Sequence, residues 1–164
     1  MGPFPHNAPA QTISEDNPAG TDGFEFVEFA HPDPEQLRSL FQGMGYTRTA
    51  THKTKDIELW QQGDITYIVN NETDSHARNF VEEHGPCAPS MGWRVVDAQH
   101  AFDHAVKNGA EPYNGNDKTM DVPAIVGIGG SLIYFIDNHR EESPYNHEFE
   151  WLTDANPEGL GFYY

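Results

Sequence analysis

The stretch "GGSLIYFIDN", residues 129–138, has a quieter echo in "QGDITYIVNN", residues 62–71. Aligned without a gap, Gly63 falls on Gly130, Tyr67 on Tyr134 and Asn71 on Asn138. Both runs are rich in β-branched and aromatic residues and open beside glycine, the pattern of a strand leaving a tight turn. A strand written twice in 164 residues points to internal repetition, which decides the architecture before any single motif does.

The surroundings repeat as well. "FEFVEFA" (24–30) alternates as a strand does. In "HPDPEQLRSLFQGMGY" (31–46), Pro and Asp open a helix, Leu37, Leu40, Phe41 and Met44 form its apolar stripe, and Gly45 ends it. Three short strands follow over 46–52, 56–62 and 64–70, with Gly63 in the last turn. The linker from Asn71 to Pro89 holds a helix within "SHARNFVEEHG" and breaks at Gly85, Pro86 and Pro89. Then the order restarts: a strand over 90–96, a helix over 97–110 stopped by Gly109, strand-like pieces at 111–113 and 124–127, and a closing strand over 131–137. Between those pieces, "YNGNDKTMDVP" (113–123) reads as loop. The reading is an α+β fold: two βαβββ modules, about 23–71 and 90–138, pairing into one curved mixed sheet with helices on its outer face. Residues 1–22 read as a weakly ordered arm and 139–164 as a connector, in which Phe149, Trp151 and Leu152 can dock on the domain.

Composition narrows the function. There are 26 acidic residues against 9 basic ones, a formal charge of −17, so phosphate backbones and anionic lipid are poor partners. Apolar runs fall far short of the roughly 20 residues that cross a bilayer, and the N-terminus lacks the basic start and apolar core of a signal peptide. The single cysteine, Cys87, excludes an internal disulfide and fits a reducing cytoplasm, as a loop thiol with nothing to activate it.

The chemistry-bearing residue types are sparse in useful patterns. His100 and His104 stand one helical turn apart beside Asp103, a spacing that can bind zinc. The apolar stripe Ala98, Ala101, Phe102, Ala105 and Val106 turns them to water, so they read as a solvated face. "GIGG" (127–130) precedes a strand rather than the helix a phosphate cradle needs. Glu25 and Glu28 lie within the first strand, and a carboxylate on an inner face needs a partner. By the offset of about 65 residues, Glu28 corresponds to Arg94 in the second module. The expectation is a buried Glu28–Arg94 ion pair in the sheet's concavity, with a substrate-binding pair as the alternative.

The words of the sequence also carry a resemblance. "GFEFVEFA" (23–30), "MGYTRTATHKTKDIELWQQGDITYIVNNE" (44–72), "EHGPCAPSMGWRVVDAQHAFDHAVKNGA" (83–110) and "VPAIVGIGGSLIYFID" (122–137) resemble the N-terminal half of the bacterial 4-hydroxyphenylpyruvate dioxygenase family. That family sits in the vicinal oxygen chelate superfamily, with glyoxalase I and bleomycin-resistance proteins, and "NPEGLGFYY" (156–164) looks like its interdomain connector. The resemblance implies an oxidoreductase of tyrosine catabolism that converts 4-hydroxyphenylpyruvate and dioxygen to homogentisate and carbon dioxide. It also implies Fe(II), held by two His and one Glu of the C-terminal half. The corresponding places here fall near Phe24 or Glu25, on Ser90 and on Phe135, a degenerate set, so the triad carries onto no residue of this chain.

The resulting expectation is a non-catalytic N-terminal domain with no cofactor of its own. Fe(II) is expected in the full-length enzyme, and the expected partners are its C-terminal catalytic domain and further copies of itself. The apolar ending "LGFYY" (160–164) favours a fragment of a longer enzyme. The alternatives are a free-standing module that binds a small molecule in the concavity, the same domain of the sister enzyme hydroxymandelate synthase, and an active enzyme with a metal site shared between two copies. Ser90 and Phe135 argue against the last.

Overall fold

The computed structural model describes residues 10–137, 143–153 and 158–162. Residues 1–9 of the arm, Asn138 of the echo, and 139–142, 154–157 and 163–164 of the connector lie outside the described residues. The elements run β1 (Thr21–Ala30), α1 (Pro34–Gly43), β2 (Thr47–His52), β3 (Ile57–Gln62), β4 (Ile65–Asn70), α2 (His76–His84), β5 (Cys87–Val95), α3 (Ala98–Lys107), β6 (Ala124–Val126), β7 (Leu132–Ile136), α4 (Pro144–Glu148) and β8 (Phe149–Trp151). Local chemistry starts the helices as their sequences foretell. Asp33 accepts from the Glu35 N–H ahead of α1, whose first residue is Pro34, and Asp97 accepts from the His100 N–H ahead of α3.

One eight-stranded sheet runs in the order β6-β7-β5-β1-β4-β3-β2-β8. Within the modules β1 is parallel to β4 and β5 is parallel to β7, while the modules join through antiparallel β1 and β5. The second module has no regular third strand. Pro112 makes only an isolated bridge to Ile125, as befits a residue with no N–H to offer a ladder. Two segments are more structured than the sequence suggests. β1 begins at Thr21, inside the expected arm, where Asn17 Nδ2 donates to the Thr21 carbonyl at 2.9 Å and the Val96 N–H donates to Gly20 at 2.8 Å. In the connector, β8 extends the sheet beyond β2, pairing Phe149 with His52 and Trp151 with Ala50.

The sheet's inner face is one apolar cluster: Ala50 on β2 and Ala124 on β6, near opposite ends of the strand order, share it with Phe26, Leu59, Ile68 and Tyr134. Side chains that far apart in the strand order meet only if the sheet curls around them. α1 covers the outer face through Phe41, packed with Tyr46, Trp60 and Val69, and α3 covers it through Ala101, packed with Val95 and Phe135. The two echoed tyrosines therefore face opposite ways. Tyr67 stacks on Tyr46 under α1, with ring centroids 4.5 Å apart, whereas Tyr134 is fully buried on the inner face. The gapless echo is one residue out of phase with the strands' facing, since a shift of one residue exchanges the faces of a strand.

At the centre of the β1–β5 seam, Phe26 lies opposite Gly92. A β-carbon at Gly92 would overlap the Phe26 ring, so only glycine lets the inner faces close there. Under α1, the buried Glu58 carboxylate receives Arg38 Nη2 at 2.8 Å, Trp60 Nε1 at 2.9 Å and Arg48 Nη1 at 3.2 Å. Burial pushes the Glu58 pKa up, but the Arg38 and Trp60 hydrogen bonds and the two arginine charges outweigh it and hold the carboxyl below the ordinary range.

Two predictions follow from this packing. Gly92→Ala is expected to destabilise the domain by about 1–3 kcal/mol in chemical denaturation, the usual cost of an overpacked core. Because the folded Glu58 pKa lies below its unfolded value, its contribution is present above the unfolded carboxyl range and lost as pH falls through the folded pKa. Arg38→Met is therefore expected to flatten the acid limb of stability against pH, measured by thermal melts between pH 7 and 3.

Candidate functional site

Buried polar side chains gather in the sheet's concavity. β1 and β5 carry Glu28 and Ser90 to directly opposed positions on its wall. Glu28 is 1% exposed. Its Oε1 accepts from Asn70 Nδ2 at 2.8 Å and from Thr119 Oγ1, and its Oε2 accepts from Ser90 Oγ. These are neutral donors, and their three hydrogen bonds offset the cost of burying the carboxylate. The Thr119 N–H donates to the Tyr134 hydroxyl at 3.0 Å. Burial first, and then the Glu28 charge, raise the Tyr134 hydroxyl far above the ordinary phenol range. The same two causes push the Cys87 thiol up, so this half-buried residue, which opens β5 rather than lying in a loop, is a poor nucleophile.

The expected Glu28–Arg94 ion pair is not formed; Arg94 Nε donates instead to Glu25 Oε2 at 2.8 Å and its Nη2 to the Phe24 carbonyl at 3.0 Å. The reason is directional. The two modules are related by a pseudo-twofold axis near Phe26 and Gly92, and in an antiparallel pair equivalent residues diverge from that axis in opposite directions. Glu28 therefore meets Ser90, four residues short of Arg94, a gap of roughly 13 Å along the strand. A register shift between Phe24 and Phe26 then swings Glu25 to Arg94.

Of the degenerate metal positions, Glu25 is buried in the Arg94 ion pair and Ser90 is spent on Glu28. Phe135 does not face the concavity at all: it packs against α3, and its neighbours Tyr134 and Ile136 point inward. Sequence reasoning missed Asn70, Thr119 and Met120, which complete the interior. Asn70 was legible as the polar end of a buried strand. Thr119 and Met120 were not, because "YNGNDKTMDVP" (113–123) has loop composition and only tertiary structure folds it inward.

Among the described residues, no three His, Cys, Asp or Glu side chains converge as metal ligands. A centre of two His and one Glu does not fit these residues, and the concavity is packed with Met120, Tyr134, Tyr145 and Phe149. His100 and His104 stack on each other at 6.4 Å, and His100 Nε2 lies 2.8 Å from the Pro18 carbonyl, tying down the segment before β1. No helix of the described residues is long and apolar enough to cross a membrane.

Comparison with known proteins places this geometry. A family model described as "Hydroxyphenylpyruvate dioxygenase, HPPD, N-terminal" matches residues 15–150. The chain is similar to hemolysin VllY of Vibrio vulnificus, 44% identical over 85% of this chain and 40% of that protein. It is also similar to 4-hydroxyphenylpyruvate dioxygenase of Pseudomonas aeruginosa, 42% identical over 93% of this chain and 44% of that one. Among solved structures, a xylose isomerase-like TIM barrel/4-hydroxyphenylpyruvate dioxygenase fusion protein superposes with a TM-score of 0.74 at 30% identity, over 92% of this chain and 23% of that one. The chain thus spans less than half the length of these proteins.

The revised pairing has a direct check in double-mutant cycles measured by urea denaturation. Glu25→Ala and Arg94→Met are expected to couple by about 0.5–3 kcal/mol, whereas Glu28→Ala and Arg94→Met are expected to add within about 0.5 kcal/mol. Coupling in the second cycle and additivity in the first would restore the Glu28–Arg94 pair.

Proposed function

This chain belongs to the hydroxyphenylpyruvate dioxygenase family, and from that membership we propose that it is the non-catalytic N-terminal domain of a 4-hydroxyphenylpyruvate dioxygenase. The complete enzyme would turn 4-hydroxyphenylpyruvate and dioxygen into homogentisate and carbon dioxide. One observation carries the reading: the inner face, which a chelating enzyme must keep open for metal and substrate, is closed by the protein's own side chains. Glu28, the innermost carboxylate, already accepts three hydrogen bonds, from Asn70, Thr119 and Ser90. Met120 and Tyr134 occupy the volume beside it and are fully buried.

In this reading the iron belongs to a separate C-terminal half, where it would activate dioxygen beside the 2-oxo acid. This domain supplies a rigid scaffold and surfaces for that half and for further copies of the enzyme. Support comes from the apolar side chains it leaves uncovered. Trp151 and Leu152 follow from the added strand β8, and Leu160 and Phe162 lie on a segment whose N–H groups both donate to Gln62 Oε1. The likeness to part of a fusion protein with a TIM barrel also fits a module whose chemistry resides elsewhere.

The test is to purify this chain, quantify its iron and follow oxygen uptake with 4-hydroxyphenylpyruvate. The expected outcome is substoichiometric iron and no homogentisate. Iron at one equivalent together with homogentisate production would overturn the scaffold reading.

A further inference from the structure

Two covers close the concavity, and both are fastened at one histidine. The first is α4 with β8, which inserts Tyr145 and Phe149; the second is the strap 113–123, which inserts Met120 beside Thr119. His52, at the end of β2, has a side chain only 5% exposed. Its Nδ1 accepts the backbone N–H groups of Thr54 and Lys55, each at 3.1 Å. Backbone N–H groups only donate, so Nδ1 carries no hydrogen and the ring's hydrogen sits on Nε2, which donates to Glu148 Oε2 at 3.2 Å. Glu148 then reaches the strap, its Oε1 accepting from the Asp121 N–H at 3.0 Å.

The turn that His52 holds reaches both covers as well. The Lys53 N–H donates to the Glu148 carbonyl at 2.8 Å, and Lys53 Nζ donates to the carbonyls of Asn146 at 3.0 Å and His147 at 2.6 Å. Lys55 Nζ donates to the Lys118 carbonyl at 2.8 Å, on the strap.

We infer that His52 is a pH-sensitive latch whose protonation releases α4–β8 and the strap together, opening the concavity. A second proton can go only on Nδ1, where it would confront two N–H donors that cannot turn away without unwinding the 53–55 turn. The groups facing the ring are Glu148 from α4, Glu72 beyond β4, Lys55 from the turn and the Phe149 ring from β8, at 5.1 Å. Burial first, and then the Lys55 charge, hold the imidazole below its ordinary value, against the pull of Glu148 and Glu72. The sign is fixed by linkage. The unfolded or opened chain binds the proton more readily, so the latch is fully closed above the ordinary His pKa of 6.5 and loosens as pH falls below it.

Hydrogen–deuterium exchange between pH 7.5 and 5, corrected for intrinsic exchange, reads the latch directly. Amides of 113–123 and 144–152 are expected to gain exchange together, by up to about tenfold per pH unit, while those of β3 and β4 stay protected. His52→Asn keeps an acceptor at the Nδ1 position and cannot titrate, so its exchange in both segments should not respond to pH in this window. Should that variant fail to fold, Glu148→Gln is the second arm: without the carboxylate that stabilises imidazolium in the closed state, the opening midpoint should move to higher pH. Opening of one segment alone, a full pH response retained in His52→Asn, or an unmoved midpoint in Glu148→Gln would overturn the latch.

Discussion

The fold depends on the contact between Phe26 and Gly92. These residues stand opposite each other where antiparallel β1 and β5 join the two modules, close to the pseudo-twofold axis that relates them. One module donates a ring and the other donates the absence of a side chain, so the pair is symmetric in position and asymmetric in volume. That asymmetry lets the Phe26 ring lie over the neighbouring strand, where a second side chain would displace it. Everything else on the inner face, from Ala50 to Ala124, packs outward from this point.

Buried carboxylates show how the domain manages an acidic composition inside as well as outside. Glu58 lies under α1 and is neutralised by Arg38 and Arg48. Glu25 has Arg94, where a register shift turns it inward. Glu28, deepest of the three, is satisfied by neutral donors drawn from β4, β5 and the strap. Arginine pairing for two of them and neutral donors for the third bind α1, the strands β1 to β5 and the strap together. Both Glu28 oxygens accept from side chains of the domain itself.

How much of this the amino-acid order discloses follows from which interactions are local. The tandem βαβββ plan, the helix starts at Asp33 and Asp97 and most strand bodies rest on periodicity and capping within a few residues, so they are legible. The facing of β7 is not, because the matched tyrosines 67 and 134 align by identity yet point to opposite sides. Nor is the partner of Arg94, since an offset finds symmetry-equivalent residues while an antiparallel seam brings them together only at its axis. β8 and the strap escape for a third reason: three residues of "FEW" and a polar loop carry no periodic signal, and their structure comes from the edge and the hollow they fill.

The sheet's inner wall presents a carboxylate, a serine and a tyrosine hydroxyl, and two weakly patterned segments cover it. Besides Thr119 on Glu28 and the β8 ladder on β2, both segments are attached to the turn after β2. Losing this shared node removes hydrogen bonds from both covers at once, each worth only about 1 kcal/mol. Closure is therefore a cooperative property of His52, Glu148 and the 53–55 turn. The polar contacts at the rim add to the burial of Met120, Tyr145 and Phe149 in keeping the hollow filled.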